Sequence, residues 1–263
     1  MILNAVEQGE GAGEPVVLLH GLFGAAQNWG AIQKRLAASG RGGRRVIALD
    51  LCNHGASPRG PAMDYPSLAA DVAETLSARG ALPAAVIGHS MGGKVAMTLA
   101  LTQAGAVARL VVADIAPVDY PPALRGYVAA MRALDLRPGL SRREADAALA
   151  ASVPQPGIRA FLLQNLRLAE DPPAWRLDLG AIEAAMPLLE AFPDLPGATW
   201  PGPVLALRGE RSDYVRTPAQ EAALRARFPA ARLATVPGAG HWVHSENPEA
   251  FLGLVEPFLA GGG

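Results

Sequence analysis

The pentapeptide Gly88-His89-Ser90-Met91-Gly92 constrains the fold of this chain more than any other segment. It follows the apolar run 84–87 and precedes the helix-like run 93–100, so the sequence predicts a strand, a sharp turn and a helix with Ser90 at the apex. A turn of this kind strains the serine backbone and leaves no room for bulky neighbours, a condition that Gly88 and Gly92 meet. The pattern therefore predicts a nucleophile elbow, with the Ser90 hydroxyl above a sheet edge and beside a helix N-terminus that can receive an anion.

Size and composition indicate one large globular domain. The chain has 263 residues, of which 50% are hydrophobic and 18% charged, which excludes a disordered chain. A net charge of −1 provides no broad basic field, so neither nucleic acid nor an anionic membrane is an expected partner. The one basic cluster, 41–45, is interpreted as a solvated loop.

No signal peptide or membrane-spanning run is evident in the sequence. The first seven residues lack the basic and apolar regions of a signal peptide, and no apolar run is long enough to cross a bilayer. The single cysteine, Cys52, cannot form an internal disulfide, which suits a reducing compartment. A cytoplasmic location is therefore expected.

Short apolar runs alternate with amphipathic ones along most of the chain. The predicted strands are 16–19, 46–49, 84–87, 110–113, 204–207 and 233–236. The predicted helices between them are 29–38, 67–79, 94–101 and 218–228, with Ser67 and Thr217 as N-caps. Uninterrupted apolar strands that alternate with helices predict an α/β fold, namely a doubly wound, mostly parallel sheet.

One long stretch, from Pro117 to Pro203, breaks this alternation because it contains no convincing buried strand. Its predicted helices are 123–134, 141–151, 158–168 and 179–189, the second of which begins with the capping-box pair Ser141 and Glu144. We expect an α/β core in 1–117 and 203–263, and a helical cap in 118–202 over the carboxyl ends of the strands.

A serine needs a base, and His241 is the predicted one. It stands in a glycine-rich loop after the last strand, which matches the Ser…acid…His order of this architecture. The other histidines have structural interpretations. His20 braces the loop after the first core strand, His54 belongs to a turn, His89 fills the variable elbow position, and His244 is too isolated to make a metal pair with His241. No metal site is expected.

The negative charge that forms on a substrate oxygen needs N–H donors. The backbone amides of Met91 and Leu22 are the predicted oxyanion hole, the second within the sequence His20-Gly21-Leu22-Phe23-Gly24. Phe23 and Trp242, together with the insertion, are expected to line an apolar acyl pocket.

The acid that orients His241 has two candidates. The slot after the strand 204–207 holds Ser212, and Asp213 stands one place later, where a tight turn would aim its side chain elsewhere. Asp114, at the end of the strand 110–113, could reach the imidazole from another side, or could merely cap a turn. Spacing favours Asp114, assigns Ser212 a supporting hydrogen bond, and keeps Asp213 as the alternative acid.

Four motifs together carry a family resemblance. They are Gly88-His89-Ser90-Met91-Gly92-Gly93-Lys94, His20-Gly21-Leu22-Phe23-Gly24 with Asn28-Trp29, Asp50-Leu51-Cys52-Asn53-His54-Gly55-Ala56-Ser57, and Asp114-Ile115-Ala116-Pro117-Val118-Asp119-Tyr120. They resemble the α/β-hydrolase superfamily and, more narrowly, the YbfF-type esterases, chiefly through Lys94 and the Asp-Ile-Ala-Pro run. The resemblance implies cofactor-free hydrolysis of short to medium acyl esters, with acyl thioesters as a further possibility. It also implies Asp114 as the acid and Ser212 in the usual acid slot.

Other functions share these residues. A lactonase, a carbon–carbon bond hydrolase or a cofactor-free haloperoxidase would use the same three groups, and a hydrolase-fold binding protein with little turnover is the alternative outside enzymes. The sequence therefore predicts a serine carboxylesterase acting on a small acyl ester or thioester, and leaves these alternatives open.

Overall fold

A computed structural model describes residues 1–39 and 43–261 of the chain. The predicted basic cluster 41–45 thus lies partly outside the described residues. The strands are β1 (Ala5–Gln8), β2 (Val16–Leu19), β3 (Val46–Leu49), β4 (Ala84–His89), β5 (Val107–Ala113), β6 (Leu166–Arg167), β7 (Ala174–Trp175), β8 (Val204–Gly209) and β9 (Ala231–Val236). The helices are α1 (Gly30–Ala38), α2 (Tyr65–Ala78), α3 (Met91–Thr102), α4 (Arg125–Arg132), α5 (Arg142–Leu149), α6 (Pro156–Leu163), α7 (Leu179–Glu190), α8 (Pro218–Arg227), α9 (Val243–Glu246) and α10 (Pro248–Leu259).

The main sheet has seven strands in the order β1-β3-β2-β4-β5-β8-β9. All neighbours are parallel except β1 and β3, which are antiparallel. Alternate strand residues face two separate hydrophobic layers: Val17 and Val86 pack on the side of α2 and α3, and Val16 and Ile87 on the side of α1 and α10. The predicted doubly wound, mostly parallel α/β fold is confirmed.

Several core elements differ from the expectation, among them the short helix α9, which was not predicted. The edge strand β1 and the C-terminal helix α10 were not predicted; β1 is only four residues long and half exposed, so it lacks the buried apolar run used to find strands. Helix α2 begins at Tyr65, and its N-cap is Asp64 instead of Ser67. The Asp64 carboxylate accepts the backbone N–H of Ser67 at 2.8 Å, which satisfies one of the free N–H groups of the first turn.

The segment 118–202, which we call the cap segment, contains helices α4 to α7 and the small hairpin β6–β7. The predicted capping box of Ser141 and Glu144 is confirmed. The predicted helix 158–168 is wrong at its end, because the helix stops at Leu163 and the next residues pair with β7. In the described part of the chain, no helix is both long and apolar enough to span a membrane.

Candidate active site

Ser90 lies in the predicted sharp turn between β4 and α3. Its backbone has φ 53° and ψ −120°, in the left-handed half of conformational space that residues with side chains rarely adopt. A methyl group on Gly92 would collide with the carbonyl oxygen of Leu19, and one on Gly88 would collide with the carbonyl oxygen of Gly92. Only glycine fits at both flanks, and the strained elbow expected from the sequence is present.

Asp114 occupies the same position on β5 that Ser90 occupies on β4. The register pairs His89 with Ala113, so the next residue of each strand lies at the carboxyl edge of the sheet, side by side. Asp114 also has a positive φ, of 55°, and its side chain is fully buried. Its carboxylate accepts the backbone N–H of Gly209 at 2.9 Å. The sheet therefore holds the carboxylate beside the elbow.

His241 follows β9 and reaches Asp114. Its Nδ1 lies 2.7 Å from Asp114 Oδ2. The Tyr214 ring stacks on the imidazole with ring centres 4.0 Å apart, and the Nε2 of His89 donates a hydrogen bond to the His241 carbonyl oxygen at 2.8 Å. Burial lowers the pKa of His89 well below its ordinary value, so this ring is neutral. Three groups from separate elements thus position the His241 ring and backbone.

The structure separates the two neighbours Ser212 and Asp213. The Ser212 hydroxyl donates to Asp114 Oδ2 and accepts the backbone N–H of Tyr214 at 3.2 Å. The Asp213 side chain is 84% exposed and forms an ion pair with Arg216 at 2.6 Å. Asp114 and Ser212 therefore meet at His241, whereas Asp213 points to solvent.

The loop 20–24, predicted to carry an oxyanion donor, is held at Phe23, whose φ is 63°. The Phe23 N–H donates to Nε2 of His54 at 3.2 Å, and its carbonyl accepts from the Asn165 amide of the cap segment at 2.8 Å. Burial lowers the pKa of His54 to about 3, and its Nδ1 donates to the Cys52 carbonyl at 2.9 Å. A neutral His54 keeps Nε2 free to accept, so this residue holds the loop.

The supporting role of His54 was not predicted, because the sequence indicated only a turn there. His20 was expected to brace the loop, and its ring bonds the start of the loop to the segment after β3. Its Nε2 accepts the backbone N–H of Leu51 at 2.9 Å, and its Nδ1 donates to the Gly21 carbonyl at 2.8 Å. Both histidines contact mainly backbone groups, for which a sequence contains no signal.

The loop approaches the serine closely at Gly21. A methyl group on this glycine would lie 3.2 Å from the Ser90 Cβ. Within the described residues, neither the N–H of Leu22 nor that of Met91 donates a hydrogen bond to another protein group, and both residues border the same cavity as Ser90. Two amide donors are thus available beside the serine hydroxyl.

A narrow cavity of about 50 Å³ opens beside Ser90. The core contributes Leu22, Met91 and Ile115 to its wall, and the cap segment contributes Tyr120, Met186 and Leu189. The lining is mostly apolar, as expected for a site that accepts an acyl chain.

The predicted pocket residues Phe23 and Trp242 do not line this cavity. Phe23 is 3% exposed and packs into the hydrophobic core. Trp242 packs instead on Phe161 of the cap segment, with ring centres 5.8 Å apart. The cap residues that do line the cavity carry no motif, so the sequence could not single them out.

His241, before α9, and His244, within it, face different ways. His241 Nδ1 bonds Asp114, whereas His244 stacks on Trp29 with ring centres 4.2 Å apart. In residues 1–39 and 43–261, no group of three or more histidine, cysteine, aspartate or glutamate side chains is arranged to hold a metal ion.

Comparison with known proteins places this arrangement among hydrolases. The profile of the alpha/beta hydrolase family matches residues 16–254. The sn-1-specific diacylglycerol lipase ABHD11 of Mus musculus is 40% identical over 251 residues, which cover 93% of this chain and 80% of that protein. Esterase YbfF of Escherichia coli strain K12 is 36% identical over 246 residues, covering 93% and 92%. Among solved structures, a marine microorganism esterase superposes with a TM-score of 0.90 at 33% identity, covering 98% of this chain and 99% of the other.

Proposed function

The chain belongs to the alpha/beta hydrolase family, and on that premise we propose that it is a serine carboxylesterase that hydrolyses short to medium acyl esters and acyl thioesters. Relatives that span nearly the whole chain are an esterase and a diacylglycerol lipase, so hydrolysis of carboxylic esters is the reaction class that they support. The observation that carries the proposal is the hydrogen bond of 2.7 Å between Asp114 and His241, at the sheet edge where Ser90 projects from its elbow.

The first half-reaction forms an acyl-enzyme. His241 Nε2 takes the hydroxyl proton as Ser90 Oγ attacks the carbonyl carbon, and Asp114 stabilises the imidazolium through Nδ1. The developing oxyanion is received by the N–H groups of Leu22 and Met91, each typically worth about 3 kcal/mol of barrier. His241 then protonates the leaving alkoxide or thiolate.

The second half-reaction returns the free enzyme. Water replaces the alcohol or thiol, gives its proton to His241 and attacks the acyl-enzyme carbonyl, and Ser90 leaves with that proton. Among the described residues, no hydrogen bond joins the Ser90 hydroxyl to His241, and such contacts are often long before substrate binds.

The domain division is part of the proposal. Residues 1–117 and 203–263 would form the catalytic core and 118–202 a cap that shapes the acyl pocket, supported by the cap residues Tyr120, Met186 and Leu189 in the cavity wall. A cytoplasmic location is also proposed, on the ground of the lone buried cysteine, and cell fractionation would test it.

Covalent labelling tests the chemistry directly. Wild-type enzyme should react with a fluorophosphonate at Ser90, and Ser90→Ala should lose labelling and about 10⁶ of kcat on a short acyl ester. Ser245→Ala, which removes an exposed hydroxyl near the same edge, is the matched control and should behave as wild type. Substantial ester hydrolysis by Ser90→Ala would exclude the proposed nucleophile.

The wild-type enzyme also distinguishes the proposed esterase from two of the alternatives, a lactonase and a binding protein. A panel of acyl esters, thioesters and lactones of increasing chain length distinguishes an esterase from a lactonase. An unlabelled Ser90 with no turnover on any of them would favour the binding protein.

A further inference from the structure

Lys94 is a buried cation that the proposed chemistry does not use. It lies one helical turn after Ser90 in α3, and only 1% of its surface is exposed. Its Nζ donates to the carbonyl oxygens of Glu190 and Ala191, at 2.9 and 2.7 Å, where α7 of the cap segment ends. These two bonds use two of the three ammonium donors.

The ammonium lies at the wall of the cavity beside Ser90. Its Nζ is 5.0 Å from the centre of the Tyr120 ring and 5.5 Å from that of Tyr65, and both tyrosines line the cavity together with Lys94 and Glu190. The ammonium therefore lies among residues that border the space open to a ligand.

No carboxylate of the described chain forms an ion pair with Lys94. The nearest acidic side chains are engaged elsewhere: Glu190 pairs with Arg125 at 2.8 Å, and Asp119 accepts the backbone N–H of Phe192 at 2.8 Å. Burial lowers the pKa of Lys94 to about 8, against the opposing charges of Asp119 and Glu190, so the side chain is mostly protonated at pH 7.

A buried charge is costly unless an opposite charge accompanies it. The carbonyls at the end of α7 and the faces of two tyrosines supply partial negative charge, but a carboxylate would supply a full one and a charge-assisted hydrogen bond. If Lys94 served only to hold the cap segment to the core, backbone carbonyls would suffice, and the cation would not need to border the substrate cavity.

We propose that Lys94 recognises an anionic end of the acyl group, so that the preferred substrates are monoesters of short dicarboxylic acids. The inference rests on the proposed esterase function and specifies its substrate class. The cavity, of about 50 Å³, suits a short acyl chain whose ester carbonyl lies at Ser90 and whose distal carboxylate meets Nζ.

Matched ester pairs test the charge preference. Hydrolysis of the monoethyl esters of succinic, glutaric and adipic acid is compared, in a pH-stat at pH 7, with that of ethyl butyrate, ethyl pentanoate and ethyl hexanoate. For at least one pair the wild-type enzyme should show the higher kcat/KM on the anionic ester. Lys94→Met should lower that ratio by about ten- to a hundredfold, the range of a hydrogen bond to a charged group.

Arg132→Met is the matched control, because it removes a half-exposed positive charge of the cap segment whose partner, Glu183, does not line the cavity. Its ratio should stay at the wild-type value. A wild-type ratio below one for all three pairs overturns the inference, as does an unchanged ratio in Lys94→Met or an equal loss in Arg132→Met. Where Lys94→Met does not fold, the wild-type ratios and competitive inhibition by glutarate relative to pentanamide decide the question. An enzyme that hydrolyses none of the six esters would contradict the proposed function itself, whereas neutral-ester hydrolysis without a charge preference contradicts only the inference.

Discussion

Replacing Asp114 by asparagine tests the acid assignment most sharply. Three donors point at this carboxylate: the Gly209 N–H on Oδ1, and the Ser212 hydroxyl and His241 Nδ1 on Oδ2. Asparagine can keep its oxygen on Gly209, but its NH₂ group then faces two donors. Ser212 can rotate its hydroxyl to accept, whereas His241 must move its proton to Nε2 in order to accept at Nδ1.

The proton on Nε2 prevents His241 from receiving the proton of Ser90. In comparable Ser-His-Asp sites this wrong tautomer lowers kcat by about 10⁴, which corresponds to about 5.4 kcal/mol of barrier. The fold should survive, because asparagine has nearly the same shape and the Gly209 bond remains; we expect a loss of about 1–3 kcal/mol in the free energy of unfolding.

The assay compares kcat on a short acyl ester with unfolding in urea for two variants. Asp213→Asn makes the same chemical change in a side chain that is 84% exposed, one residue beyond Ser212, and should keep kcat within about twofold of wild type. The reasoning is refuted if Asp114→Asn stays within tenfold of wild type while folded, or if Asp213→Asn is the more damaged of the two.

Three further changes test other parts of the site. Ser212→Ala should lower kcat about tenfold without changing KM, because Asp114 loses one hydrogen bond that stabilises its charge; an unchanged kcat would remove Ser212 from the site. Gly92→Ala should yield no active, folded enzyme in circular dichroism and esterase assays, since its methyl group meets the Leu19 carbonyl; normal activity would contradict the close packing of the elbow. Lys94 has a pKa of about 8 when folded and an ordinary value of 10.5, so between these pH values the unfolded chain binds more protons and stability rises with pH. Relative to Lys94→Met, the wild-type free energy of unfolding should therefore increase by about 2 kcal/mol from pH 8 to pH 10 in urea titrations, and a flat or falling difference would contradict the buried charge.

Much of the core could be predicted because its signals are local. The strands 16–19 and 46–49 are continuous apolar runs, and both are found with the predicted bounds. The edge strand β1 escaped because its four residues are partly exposed and are held in place by pairing with β3, a contact distant in sequence. The start of α2 was misplaced because two residues of that turn can cap a helix, and tertiary context selects Asp64.

The candidate site was predictable where a motif defines backbone geometry, as at Ser90, and less so where side chains meet across the fold. The sequence could rank Asp114 above Asp213 by spacing and by the family resemblance, but not by contact, since the hydrogen bond to His241 joins residues 127 positions apart. Tyr214, which stacks on His241, and His54, which holds Phe23, have no local signature. Met186 and Leu189, which border the cavity, are ordinary helix residues in the sequence until the cap segment is packed.

The adjacency of Ser90 and Asp114 at the ends of β4 and β5 has a mechanical consequence. Their separation is set by the hydrogen-bonded ladder of two central strands, so both groups are as stiff as the sheet itself. His241 is different, because it stands on a loop after β9 and is carried by side-chain contacts and one hydrogen bond from His89. Of Ser90, Asp114 and His241, only His241 can therefore be displaced without distorting the central strands. Heat or mild denaturant should displace the imidazole first, and activity should be lost while amide hydrogens in β4 and β5 are still protected from exchange.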